Sequence, residues 1–140
     1  MKKRISYYVA AIVGKAMIHG MHLMKRNATN LPGEVALQLC PSLLANFQMP
    51  KHVIVVTGTN GKTTVTNLIG NVLKKCGNDI ITNAFGGNVD TGIASLLLAN
   101  SKLNGTLTAD TLLLEMDERS AQRILPYVKP DYLVCTNLQR

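Results

Sequence analysis

Apolar positions recur at two spacings along this chain, and the switches between them mark out its elements. Ile5 to Met24 carries a helical pattern in which Ile5, Val9, Ile12, Ala16 and Leu23 share one face. Arg4, Tyr8, Lys15, His19, His22 and Arg26 form a second stripe, so the segment predicts an amphipathic helix. Leu31-Pro32-Gly33 predicts a turn, and Pro41 restarts the chain in a short helix through about Phe47. From Lys51 the pattern changes. His52–Val56 is a β-branched run ending in Thr57-Gly58, and a helical pattern from Lys62 to Lys75 stops at Gly77. Asp79–Thr82, Thr111–Met116 and Asp131–Thr136 predict three further strands. Asp90 is placed as the cap of a helix running to about Ser101, with Ile93, Leu96, Leu97 and Leu98 as its apolar positions. A short helix is expected over Asp117–Leu125, ended by Pro126. Strands alternating with helices predict an α/β fold: a mostly parallel sheet of βαβ units covered on both faces, preceded by the N-terminal helix. The division expected is a helical arm over 1–48 and an α/β unit over 49–140, with no internal repeat.

With 140 residues, 46% hydrophobic and 16% charged, the chain can bury a core and fits one domain. Fifteen basic against eight acidic residues give +7, but six of those cations (Lys2, Lys3, Arg4, Lys15, Lys25, Arg26) fall within 1–26, which holds no acid. The rest is nearly neutral, so the body is no basic surface for a duplex, and no nucleic-acid partner is expected. Lys15, His19 and His22 interrupt the first apolar stretch, and no cleavage pattern follows, which argues against a signal peptide or a membrane span. The first helix is read as packing on the domain; peripheral contact with an anionic membrane surface is the sharper alternative. Cys40, Cys76 and Cys135 stand far apart, which excludes a disulfide framework or a zinc site within this stretch and suits a cytoplasmic compartment. His19, His22 and His52 have no carboxylates at ligand spacing and read as structural or surface residues.

The chemistry is concentrated in Thr57-Gly58-Thr59-Asn60-Gly61-Lys62-Thr63-Thr64, which follows a strand and opens a helix. Glycines let the backbone turn so that successive N–H groups face phosphate oxygens, and the helix dipole adds positive potential there. Lys62 supplies a full charge for β- and γ-phosphates. Thr63 offers a hydroxyl to magnesium, which prefers hard oxygen ligands. Motif and flanking elements agree on a phosphate-binding loop rather than an ordinary strand-to-helix turn. The spacing is shorter than in Gly-x-x-x-x-Gly-Lys-Thr, because Val56 stands where that pattern has its first glycine.

That shortened loop resembles the ATP loop of the Mur ligase superfamily, which joins amines to carboxylates through an acyl-phosphate. The resemblance continues through Leu31-Pro32-Gly33, Thr82-Asn83 with Gly87-Asn88, Leu114-Glu115-Met116-Asp117-Glu118 and Cys135-Thr136-Asn137-Leu138. These segments look like the MurT-type branch, the synthetase subunit of lipid II isoglutaminyl synthase. The resemblance implies ATP-dependent activation of the D-glutamate α-carboxylate of lipid II, followed by amidation to D-isoglutamine in peptidoglycan synthesis. It implies a GatD-type glutamine amidotransferase partner as ammonia source, and Mg2+ with ATP. It also implies a longer parent ligase, of which 49–140 is the N-terminal part of the ATP-binding domain, with zinc held by cysteines beyond residue 140. The alternatives are another Mur-type ligase, such as a folylpolyglutamate synthase or an amino-acid-adding enzyme, and a non-ligase P-loop ATPase or nucleotide-binding module.

Gly58, Thr59, Asn60, Gly61, Lys62, Thr63 and Thr64 are thus the expected ATP contacts, with Lys62 as the catalytic cation. Asn83, Gly87 and Asn88 follow the second strand, at the carboxyl edge where open α/β sheets place ligands. The family match gives Asn88 to the γ-phosphate, whereas turn chemistry alone also accounts for Asn and Gly there. Asn137 follows the fourth strand at the same edge and is a second such candidate. Asp117 reads as a helix cap. Glu115 emerges from Leu112-Leu113-Leu114, where a carboxylate calls for a partner, and the resemblance makes it share one magnesium with Thr63.

Overall fold

The computed structural model describes residues 5–24, 30–84 and 87–137. Arg4 and Arg26 of the expected basic stripe lie outside them. Four strands, β1 (His52–Thr57), β2 (Ile80–Thr82), β3 (Thr111–Glu115) and β4 (Tyr132–Cys135), form one parallel sheet in the order β2-β3-β1-β4. The helices are α1 (Ile5–Leu23), α2 (Leu31–Leu39), α3 (Lys62–Lys75), α4 (Asp90–Ala99) and α5 (Glu118–Val128), with a 3-10 turn at Leu43–Asn46. α3 covers one face of the sheet, where Gly70 lets it settle onto Leu113 and Ile80. On the other face Val53, Val55, Leu112 and Leu114 join Ile93, Leu97, Leu98 and Ile124 in one buried cluster, into which α1 and α2 send Tyr7, Ala10 and Ala36. β3 is buried along its whole length, as a doubly covered parallel strand requires.

Three expectations are corrected. Leu31-Pro32-Gly33 is the first turn of α2 and not a chain break. Proline is at home there, since its missing N–H has no helical acceptor in the first turn. Gly33 is demanded by packing: a Cβ would run into Thr91 O of α4 and lie 2.7 Å from Ser95 N. Its N–H instead donates to Ser95 Oγ at 2.7 Å. Pro126 does not end α5, which continues to Val128 and closes on Lys129 in the left-handed region at φ 43°. In a last turn proline forfeits one ladder bond while keeping helical φ. Asp90 is the first residue of α4, not its cap; its carboxylate is taken by Ser120 Oγ (2.7 Å) and the Arg123 guanidinium (2.5 and 2.8 Å) of α5.

α1 packs through a different face from the one its large apolar residues mark. Tyr7, Ala10, Ala11, Gly14 and Ile18 are buried, whereas Ile5, Val9, Ile12, Ala16 and Leu23 are exposed. Small residues win the inner face because α1 must lie close to its neighbours: a Cβ on Gly14 would stand 2.8 Å from Leu98 Cδ1. Lys15, expected on the outer stripe, turns inward and donates to Leu98 O (2.5 Å) and Ser101 O at the C-terminal end of α4. A cation there satisfies orphan carbonyls and complements the dipole, and burial lowers its pKa. Among the described residues no helix is long and apolar enough to cross a membrane.

Gly33→Ala should lower the unfolding free energy by about 1–3 kcal/mol, the usual range for overpacking a tight contact. Gly20→Ala, where nothing lies within 4 Å of the added Cβ, should instead be neutral or stabilising by up to about 1 kcal/mol. Urea unfolding of the two variants checks the contrast.

Candidate functional site

Because all four strands run parallel, their carboxyl ends deliver their loops to one edge. The loop after β1 passes directly against the end of β4. Gly58, at φ 128°, permits this, since a Cβ would strike Thr136 Oγ1 and lie 2.7 Å from Asn137 O. β4 then braces the loop through Thr59 N–H to Asn137 O (2.9 Å), Asn60 N–H to Asn137 Oδ1 (2.8 Å) and Thr136 Oγ1 to Asn60 O (2.6 Å). Gly61 takes a left-handed conformation (φ 81°) at the start of α3, and its open side has nothing within 4 Å. The first rung of α3 is Val65 N–H to Gly61 O at 3.0 Å. The amides of Lys62, Thr63 and Thr64 precede that rung, at the positive end of the dipole, and among the described residues the helix start has no side-chain cap. The Lys62 ammonium lies over the loop, donating to Gly58 O and to Thr59 O at 3.2 Å.

The facing wall comes from β2 and β3. Glu115 ends β3 at 7% exposure, and its neighbour Asn83 is 4% exposed. Asn83 acts as a clamp on main chain: Oδ1 accepts from Glu115 N–H (2.8 Å), while Nδ2 donates to Glu115 O (2.8 Å) and Gly87 O (3.0 Å). It extends the β2–β3 pairing by one side chain and holds the Asn88 segment beside it. Asn88 Nδ2 stands 3.5 Å from Glu115 Oε1, and Asn88 O accepts from Asp117 N–H at 3.0 Å. Asp117 is the α5 cap as expected, its side chain accepting from Arg119 N–H at 3.0 Å, which leaves Glu115 free of that duty.

A cleft of about 370 Å³ lies between the walls, lined by residues 59–64, Asn88 and Glu115. Of the residues singled out in the sequence, Thr59, Asn60, Gly61, Lys62, Thr63, Thr64, Asn88 and Glu115 therefore meet around one space. Gly58 is buried beneath the loop, and the Asn137 side chain is spent on the loop backbone outside the lining. The clamp of Asn83 and the Thr136 hydroxyl brace were not read from the sequence; a polar residue just past a strand end was their only trace. Thr63 and Glu115 present a hydroxyl and a carboxylate, hard oxygens of the kind magnesium takes.

The family description "Mur ligase middle domain" matches residues 56–140, and the chain belongs to the Mur ligase family. Among its relatives, the lipid II isoglutaminyl synthase (glutamine-hydrolyzing) subunit MurT of Streptococcus pneumoniae R6 is 38% identical over 130 residues, 92% of this chain and 28% of that protein. The MurT subunit of Staphylococcus aureus COL is 32% identical over 141 residues, 100% of this chain and 30% of that protein. The UDP-N-acetylmuramoylalanine–D-glutamate ligase of Leuconostoc citreum is 40% identical over 88 residues, but these are 62% of this chain and 17% of that protein. Similarity to MurT runs through α1 and α2 as well as the sheet, which places the chain in the MurT-type branch. The chain spans less than a third of the length of these MurT relatives.

Asn83→Leu keeps the side chain's size but strips three main-chain groups of their partner. It should destabilise the fold by about 1–3 kcal/mol, the cost of leaving buried polar groups unsatisfied. Thermal or urea unfolding measures this.

Proposed function

We propose that residues 49–140 are the N-terminal part of the nucleotide-binding domain of an ATP-dependent amide ligase acting on peptidoglycan precursor. The observation that carries this is the single cleft joining the glycine loop, Lys62 and Thr63 to Asn88 and Glu115. In this reading the loop is a phosphate loop: the amides of residues 61–64 and the start of α3 receive phosphate oxygens. Lys62 exchanges two neutral carbonyl acceptors for a phosphate, a stronger acceptor because it is charged. Thr63 and Glu115 hold the magnesium, and Asn88 orients Glu115 and faces the terminal phosphate. A cleft with one carboxylate and one hydroxyl fits an ion that arrives with its nucleotide and keeps several waters. Asn137 contributes by fixing Asn60 in the loop.

ATP would phosphorylate a poor electrophile, the D-glutamate α-carboxylate of lipid II, releasing ADP. Ammonia would then attack the acyl carbon of the resulting acyl-phosphate and expel inorganic phosphate to give D-isoglutamine. A GatD-type glutamine amidotransferase would release that ammonia, and the zinc site would belong to the parent protein beyond residue 140. The length of the MurT similarity supports this branch. The shorter match to a D-glutamate ligase supports a second reading, an amino-acid-adding enzyme with the same activation step.

The test uses the full-length ligase with its amidotransferase partner, lipid II, ATP and glutamine, with products followed by mass spectrometry. Conversion of acid to amide is expected, and Lys62→Ala should lower turnover by about 100-fold or more, the scale of losing one transition-state contact. A stem peptide longer by one amino acid would favour the second reading. Parental turnover in the Lys62 variant would remove the phosphate-loop assignment.

A further inference from the structure

We propose that the outer face of α1 docks on an anionic phospholipid surface, independently of the ligase reading. The helix buries Ala10, Ala11 and Gly14 between Tyr7 and Ile18 and turns large aliphatic residues outward: Ile5 is 83% exposed, Ile12 56% and Leu23 74%, with Met24 just past its end at 67%. Val9 and Ala16 lie on the same strip, at steps of three, four and seven residues. No described element packs on it, and the fold does not need it, since Tyr7, Ala10, Ala11, Gly14 and Ile18 already make the inner contact. An unpartnered strip of aliphatic side chains along about 28 Å of helix is an interaction surface by its composition.

Charge identifies the occupant. Residues 1–26 hold six cations and no acid. Lys15 is committed to the carbonyls of Leu98 and Ser101. Lys2, Lys3 and Arg4 precede the helix and Lys25 and Arg26 follow it; they lie outside the described residues and enter only as charges in the sequence. Exposed His19 and His22 flank the strip in the second half of the helix. Cations bracketing an aliphatic strip at both ends suit a broad, flat negative surface, into which the strip inserts while the cations meet headgroups. The helix lies on such a surface and does not cross it, since it is not apolar enough for a span.

The experiment is flotation of the full chain with vesicles of phosphatidylcholine alone or with added phosphatidylglycerol. Binding should require the anionic lipid and weaken as salt rises. Ile12→Asp, on the exposed face, should leave the circular dichroism spectrum intact and lower partitioning about tenfold or more, by placing a charge in the inserting strip. Leu68→Asp, which changes an exposed leucine of α3 on the opposite face of the sheet from α1, should bind like the parent. Because the chain has no tryptophan, Ile12→Trp gives a local probe whose emission should shift to the blue on anionic vesicles only. Equal binding to both vesicles, no binding to either, or parental binding by a folded Ile12→Asp chain would overturn the proposal. So would a lipid-free dimer that Ile12→Asp dissociates, because the strip would then be covered by a second copy.

Discussion

The parallel pairing of β1 with β3 sets Val56 opposite Glu115, and the cleft depends on that register. Parallel strands release their loops at the same edge, so the glycine loop leaves β1 beside the point where Glu115 leaves β3. A slip of one residue would turn Glu115 to the other face of the sheet and separate it from the loop. The register is held by side chains on both faces of β3 and by hydrogen bonds at its end. Met116 N–H donates to Val56 O at 2.9 Å, and Asn83 ties the Glu115 main chain to the neighbouring loop. Core packing and site geometry are therefore one problem at this edge.

α4 carries that geometry outward. It begins two residues after Asn88, and its start is tied to α5 by the pair between Asp90 and Arg123. The Arg123 guanidinium holds the Asp90 carboxyl down to about 2, so the carboxylate is ionised at neutral pH. Its middle is locked to α2 by the close approach at Gly33, and its end is capped by Lys15 from α1. The N-terminal helices thus reach the cleft through a single rigid element. The outer face of α1 is left over from this arrangement, which is why its large residues carry a message separate from the fold.

Much of this was legible in the residues. Strands and helices from β1 onward followed from periodicity, because β-branched runs and a well-marked helix stop at Gly77 leave few alternatives. The glycine loop was legible because Gly58, Gly61 and Lys62 stand between a β-branched run and a helical one, although the neighbours that demand Gly58, Thr136 and Asn137, lie far away in sequence. α2 was not, because Pro32-Gly33 reads as a turn until the approach of α4 explains the glycine. The inner face of α1 was hidden for a related reason: where helices pack closely, alanine and glycine do the burying, and hydrophobicity points to the wrong side. Asn83 and Thr136 act across 32 and 76 residues of sequence, and no local pattern announces such long-range bonds to main chain.

The most direct test of the account is a crystal structure of the chain with magnesium and a non-hydrolysable ATP analogue, compared with that of Glu115→Gln. The account predicts phosphates against the amides of residues 61–64, and a magnesium ion between the Thr63 hydroxyl and Glu115 that is weakened or absent in the variant. A nucleotide bound away from the glycine loop, or a metal placed alike in both proteins and remote from Glu115, would contradict it.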